Sequence, residues 1–184
     1  MKRRQLVRAS IAGGVLFGIG GGAIWLSESL SGDNLTIEAA LSRLNLLASV
    51  NLTHTGEWNS QQIFTHCAQS IEYSMFGFPR HQSDLFKNTV GQLAFSIFSA
   101  KGKMSHGLSD PIPGAPSLAS GGNSKIALSR LQKSLIEFNQ YAGSLAPHFA
   151  YGELTKKEYE IAHVMHLNNH LQEITSWQSD QRDA

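Results

Sequence analysis

The stretch TKKEYEIAHVMHLNNH, residues 155–170, contains the signals that decide the fold class. Thr155 and Glu158 have the spacing of a capping box, in which a hydroxyl and a carboxylate each accept a hydrogen bond from an amide of the first helical turn. Apolar residues then recur at helical spacing, at Val164, Leu167, Leu171 and Ile174. The pattern predicts an amphipathic helix from residue 155 to about residue 177.

This helix carries three histidines, His163, His166 and His170. At 3.6 residues per turn, His166 and His170 lie about 40° apart and His163 about 60° from His166, so all three share one face. That face borders the apolar stripe, which directs the imidazoles toward the bundle interior or its mouth. Two histidines one turn apart can bind one metal ion. The alternative is that they are packing residues that bind nothing.

A third ligand has to come from another helix, and His66 is the candidate. Ile63, His66, Cys67 and Ser70 fall on one helical face, so His66 has apolar neighbours. Neutral imidazoles suit Zn²⁺, Ni²⁺ or Fe²⁺. Three protein ligands leave at least one coordination position for water or substrate.

Other polar residues near these positions are also considered as site residues. His163 is interpreted as a neighbour of the ligands or as a structural residue. Glu173 lies 300° past His170 on the helix, and we interpret it as a group that orients a ligand or transfers a proton. Tyr73 lines a pocket or belongs to the core. Glu72 falls on a different face from His66, and Cys67 is expected in the core.

The remaining chain also predicts helices, with no convincing strand pattern. The predicted helices are residues 35–50, 59 or 60 to about 75, 83 or 84 to about 100, and 123 or 124 to about 143. The apolar set of the last of these is Ile126, Leu128, Leu131, Leu135 and Phe138. Prolines and glycines interrupt residues 101–122, which we interpret as a surface loop that is either a lid or a family-specific insertion. The prediction is an all-α, antiparallel four-helix bundle with an additional helix, in a domain of residues 32–184.

Residues 1–31 predict a targeting segment. Lys2-Arg3-Arg4-Gln5-Leu6-Val7-Arg8 resembles a twin-arginine export motif, and the uncharged, glycine-rich stretch from Ala9 to Ser27 follows it. We therefore expect export by the twin-arginine machinery, to the periplasm or the extracytoplasmic face of the inner membrane. The alternative is an uncleaved N-terminal anchor that tethers the protein to the membrane, because this stretch just reaches the ~20 residues that span a bilayer.

Charge and cysteine content exclude some partners. From residue 32 onward the chain holds 11 basic and 13 acidic residues and no basic run, so nucleic acid is not an expected partner. Cys67 is the only cysteine, which excludes an internal disulfide. The oligomeric state stays open between a monomer and a homodimer.

Three motifs, in order along the chain, resemble the DinB-like superfamily of helical-bundle metalloproteins. They are Phe64-Thr65-His66-Cys67-Ala68, His148-Phe149-Ala150-Tyr151-Gly152-Glu153-Leu154-Thr155 and His166-Leu167-Asn168-Asn169-His170. The stretch from His66 to Pro79 is most similar to an uncharacterised, often exported branch. The resemblance covers about residues 35–178 and implies one divalent metal ion held by His66, His166 and His170.

The leading hypothesis is an exported metal-dependent hydrolase or transferase that acts on an unidentified small molecule through metal-activated water or a metal-bound nucleophile. One alternative is a non-catalytic periplasmic module that binds a metal, a ligand or a partner protein. Another is a metal-free structural bundle.

Overall fold

Six α-helical segments make up most of the computed structural model, which describes residues 35–177. They are α1 (Ile37–Ala48), α2 (Ser60–Phe76), α3 (Asp84–Phe86), α4 (Gln92–Lys101), α5 (Ser124–Gln140) and α6 (Lys156–His170). The predicted all-helical class is confirmed. The predicted signal or anchor, residues 1–31, lies outside the described residues. Among the described residues, no helix is both long enough and apolar enough to cross a membrane.

Side-chain caps fix where the main helices begin. Thr36 caps α1 and Asn123 caps α5, each by accepting a hydrogen bond from a backbone amide of the first turn. Asn59 begins α2 in a capping box with Gln62. The capping box of Thr155 and Glu158 is confirmed at the start of α6.

A single helical rod from Asp84 to Lys101 contains a π-helical turn, Lys87–Gly91, between α3 and α4. Gly91 ends this turn, and a Cβ there would overlap the backbone carbonyl oxygen of Ala150. The missing side chain therefore lets the turn at residues 148–152 pack directly on the rod. The opposite face of the rod keeps large apolar side chains exposed, namely Leu85, Val90, Leu93 and Ile97.

The contacts between helices fix their directions. Glu160 of α6 accepts a hydrogen bond from the amide of Ile37, and Asn168 accepts one from Arg43, so α1 and α6 run the same way. In α2, His66 meets His166 and Ser74 meets His163, so α6 runs opposite to α2.

Helices α2 and α5, which pack most extensively on each other, run in the same direction. Gln61 packs against Gly122, just before α5, while the Met75 carbonyl accepts a hydrogen bond from Tyr141, just after it. The long connection through α3, α4 and residues 102–123 makes this parallel arrangement possible. In a simple up-and-down bundle, by contrast, short connections make each helix run opposite to the one before it.

The core lies between α1, α2, α5 and α6. Its largest fully buried side chains include Phe64, Leu44, Leu131, Leu135, Phe138 and Tyr159. Ile126, predicted on the apolar face of α5, is 70% exposed. That assignment was wrong because the next residue, Ala127, occupies the buried position in the first turn of α5.

The last helix ends at His170, seven residues before the predicted end at residue 177. A 3₁₀ turn, Leu171–Glu173, follows it and leads into β2 (Ile174–Trp177), which pairs antiparallel with β1 (Asn51–His54). The prediction of no strands was therefore wrong at this point. Ile174 and Thr175 are β-branched and favour extended backbone, and β1, more than a hundred residues earlier, supplies the hydrogen-bonding partner.

Candidate metal centre

Three histidine side chains from two helices converge on one point. His66 comes from α2, and His166 and His170 come from α6. The Nε2 atom of His166 lies 3.1 Å from Nε2 of His66 and 3.1 Å from Nε2 of His170. One nitrogen from each of the three rings lies within 4.8 Å of the other two. The antiparallel packing of α2 on α6 produces this convergence, because it places the middle of α2 beside the last turn of α6.

The three nitrogens cannot satisfy one another with hydrogen bonds alone. A neutral imidazole offers one N–H and one lone pair, on different ring atoms. Nε2 of His166 can therefore donate to one neighbour or accept from one neighbour, but it cannot pair well with both. A divalent cation accepts all three lone pairs at once. Metal–nitrogen bonds of about 2.1 Å place tetrahedral ligand nitrogens about 3.4 Å apart, close to the observed spacing. The donor set and its spacing fit a divalent metal ion.

Burial keeps these imidazoles uncharged near neutral pH. Removal from water, with a smaller contribution from His106, lowers the pKa of His66 to about 4. Burial, and then the neighbouring His66 and His106, lower the pKa of His170 to about 2. Burial likewise holds the pKa of His166 well below its usual value. Since a metal binds the neutral imidazole, protons compete weakly with it at pH 7.

Trp58 covers one side of the cluster. Its ring stacks on His170 with a centroid distance of 5.9 Å and an interplanar angle of 9°, and its centroid lies 4.9 Å from that of His66. The Nδ1 atoms of His66 and His170 are buried, and no hydrogen bond reaches either of them within residues 35–177. The cluster is thus enclosed by apolar surface on this side.

His163 lies next to the cluster but makes a different contact. Its Nε2 is 3.1 Å from the Ser74 hydroxyl, and its ring packs edge-on against Phe138. Burial lowers the pKa of His163 to about 3. This side chain joins α6 to α2 and α5 and also lines the cavity described below.

Glu173 and Tyr73, the two other predicted residues, make contacts of their own outside the three-histidine cluster. Glu173 follows α6, and its carboxylate packs against Gly56, while its backbone carbonyl accepts a hydrogen bond from the Thr55 amide at 2.9 Å. No hydrogen bond joins it to the histidines in the described chain. Tyr73 packs on the core, with its ring centroid 5.8 Å from that of Phe78.

Two residues considered as chemical groups have structural roles. Glu72 forms a bidentate ion pair with Arg130, at 2.9 and 2.6 Å, and accepts a hydrogen bond from Ser134, so it links α2 to α5. Cys67 is buried, as expected, and burial raises the pKa of its thiol far above the usual value. A thiol in that environment is a poor nucleophile.

A cavity of about 300 Å³ opens beside the three histidines. Its walls are mostly apolar, and in the described chain the only carboxylic side chain that lines it is Asp110. The lining comes from His66 and Ser70 of α2, from Ala162, His163 and His166 of α6, from the turn at residues 148–151, and from Met104, His106 and residues 110–113 of the connecting loop. A small, largely apolar molecule fits such a space.

The interpretation of residues 101–122 as a break is confirmed, since residues 102–123 form neither helix nor strand. The loop covers the cavity, and its His106 ring lies 5.0 Å from the His166 ring and 5.1 Å from the His170 ring. Sequence reasoning missed His106, because a histidine in an irregular loop has no periodicity that would place it near a helix.

His148, the first residue of the second motif that resembles the DinB-like superfamily, lines the cavity. Its Nδ1 accepts hydrogen bonds from the amides of Ala150 and Tyr151, both at 3.1 Å. Nε2 must therefore carry the proton. Burial, followed by the neighbouring His163 and His81, lowers the pKa of His148 to about 3. The side chain holds the turn before α6 together and presents a neutral ring to the cavity.

The sequence model of one protein family, described as a protein of unknown function (DUF1569), matches residues 27–177. The chain belongs to the DUF1569 family. The match includes every described residue of this DUF1569 protein, and so the whole histidine cluster and its cavity. Comparison of the DUF1569 chain with curated proteins and with solved structures gives no match.

Proposed function

We propose that this protein binds one divalent metal ion through His66, His166 and His170 and hydrolyses a small, largely apolar substrate in the adjoining cavity. The observation that supports the proposal is the spacing of 3.1 Å from Nε2 of His166 to Nε2 of each of the other two histidines. When bound, a divalent ion supplies a Lewis acid and lowers the pKa of a bound water to about 7.

The residues of the chain bind and orient the substrate. His66 and His166 belong both to the cluster and to the cavity wall, so a molecule in the cavity lies against the metal ligands. The apolar walls favour a neutral substrate over an anionic one, because no cationic side chain of the described residues lines the cavity, whereas the acidic Asp110 does. Trp58, which does not line the cavity, covers the rings of His66 and His170 and shields them from water.

Metal content of the full chain, purified without a histidine tag, tests the metal site. We expect one divalent metal ion (Zn²⁺, Ni²⁺ or Fe²⁺) per wild-type chain by elemental analysis, and less than stoichiometric metal in His66→Ala, His166→Ala and His170→Ala. His54→Ala replaces an exposed histidine outside the cluster and is the matched control. His163→Gln should retain its metal, because Nε2 of His163 faces Ser74. If His163→Gln loses the metal and His66→Ala keeps it, the ligand assignment is wrong.

Hydrolysis of p-nitrophenyl acetate tests the catalytic part of the proposal. We expect the Zn²⁺-loaded wild type to release p-nitrophenolate faster than His166→Ala, and a chelator to abolish the difference reversibly. A wild type that contains stoichiometric metal but is no faster than His166→Ala would instead support the non-catalytic alternative, a module that binds a metal or ligand.

We also propose that the protein is exported, on the evidence of the Arg3-Arg4 motif and the uncharged stretch after it. Replacing both arginines with lysine should keep the protein in the cytoplasm, as measured by fractionation of cells. Arg43→Lys, outside the motif, is the control for loss of an arginine. Equal periplasmic amounts of the double variant and the wild type would contradict the proposal.

A further inference from the structure

A fourth histidine ring lies against the cluster, and it comes from the loop at residues 102–123. The centroid of His106 is 5.0 Å from that of His166 and 5.1 Å from that of His170. The three rings of the cluster lie 4.8 to 4.9 Å from one another. His106 therefore packs on two of the three rings, those of His166 and His170, at nearly the spacing that the three rings keep from one another.

The hydrogen bonding of His106 leaves one nitrogen free to coordinate. Nδ1 lies 2.8 Å from the Gly107 carbonyl oxygen, and since a carbonyl only accepts, Nδ1 carries the proton. Nε2 therefore has the lone pair. This atom is buried, and no hydrogen bond reaches it within residues 35–177.

The same arrangement is typical of histidines that bind metals. Such residues usually donate the N–H of the other ring nitrogen to a carbonyl or carboxylate, which fixes the tautomer and the ring orientation. Of the four rings, His106 is the one whose Nδ1 forms a hydrogen bond in the described part of the chain. Its tautomer is thus the one that a metal-binding histidine uses.

Buried residues before and after His106 in the sequence anchor its loop segment. Met104 and Ile112 are buried in the core, at 6% and 4% exposure. The Asp110 carboxylate packs against Gly107, where a Cβ would overlap it. His106 is therefore part of a packed loop segment, and the same segment covers the cavity.

We propose that His106 is a fourth metal ligand, carried by the loop, which closes the coordination position that the three helical histidines leave open. The inference rests on the proposed metal site. It makes the resting centre a four-imidazole site enclosed by protein. A small anion or a substrate then reaches the metal by displacing His106, so the loop controls access to the site.

Cobalt(II) loaded into the full, tag-free chain tests this inference, because its visible absorption reports the number and type of ligands. We expect one Co²⁺ per chain in the wild type and in His106→Ala, with a different spectrum in the variant. Added imidazole should restore the wild-type spectrum. Azide should bind to His106→Ala at least about tenfold more tightly than to the wild type, because in the wild type it can bind only when His106 has left the metal. His54→Ala should match the wild type.

The outcomes separate this inference from the proposed function. If His106→Ala and a second variant, His106→Asn, both show the wild-type spectrum and azide affinity, His106 is not a ligand, while the three-histidine site stands. If the wild type binds no Co²⁺, both proposals are wrong. Far-UV circular dichroism of each variant establishes that the helices are intact, so a changed spectrum can be assigned to the ligand set.

Discussion

Acid should destabilise the metal-free protein steeply, because buried histidines must stay uncharged in the folded state. Burial lowers the pKa of His163 and of His148 to about 3, that of His66 to about 4 and that of His170 to about 2. In the unfolded chain each has a pKa of about 6.5. As the pH falls below 6.5, the unfolded state binds protons that the folded state does not. The free energy of unfolding is therefore highest above pH 6.5. It decreases as the pH falls from 6.5 toward the pKa values of the folded protein.

The size of the effect follows from these pKa values. Each of the four histidines lowers the free energy of unfolding by about 1.4 kcal/mol for every pH unit well below 6.5. Between pH 7.5 and pH 5.5 the four together remove about 5 kcal/mol. A typical domain has a total stability of about 5–15 kcal/mol. We therefore expect the chelator-treated protein to unfold at about pH 5, and bound metal to move that midpoint to lower pH.

Urea denaturation at pH 7.5 and pH 5.5, followed by far-UV circular dichroism in the presence of a chelator, measures this loss. In His163→Gln the loss between the two pH values should be smaller by about 1.4 kcal/mol, because one of the four groups is gone. His81→Gln, at an exposed position, controls for the removal of an imidazole as such. The reasoning is refuted if the wild type loses less than about 1 kcal/mol, or if His163→Gln loses as much as the wild type.

Three further predictions concern packing, capping and reactivity. Gly91→Ala should lower the free energy of unfolding by about 1–3 kcal/mol in urea denaturation, because the new methyl group overlaps the Ala150 carbonyl oxygen. Gly121→Ala, which meets nothing within 4 Å, is its control, and an equal effect of both would contradict the account. Asn59→Ala should cost about 1 kcal/mol in the same assay, since it removes the cap of α2. Cys67 should react with an aromatic disulfide reagent only in denaturant, and rapid reaction of the folded protein would show that the thiol is not buried.

The sequence alone determined the features that depend on short-range spacing. The capping box at Thr155 and the cap at Asn59 are set by groups within a few residues of each other, so both helix starts were predictable. The shared face of His166 and His170 follows from helix geometry. His66 was found because its motif and its apolar neighbours lie within one helical turn on either side.

The tertiary structure decided whatever depends on distant partners. The last helix ends at His170 because β1, far away in sequence, pairs with residues that would otherwise extend the helical pattern. The parallel course of α2 and α5 is fixed by packing across the long connection between them. His106 reaches the cluster because Met104 and Ile112 anchor its loop in the core. Periodicity describes one segment at a time, whereas these features arise from contacts between segments.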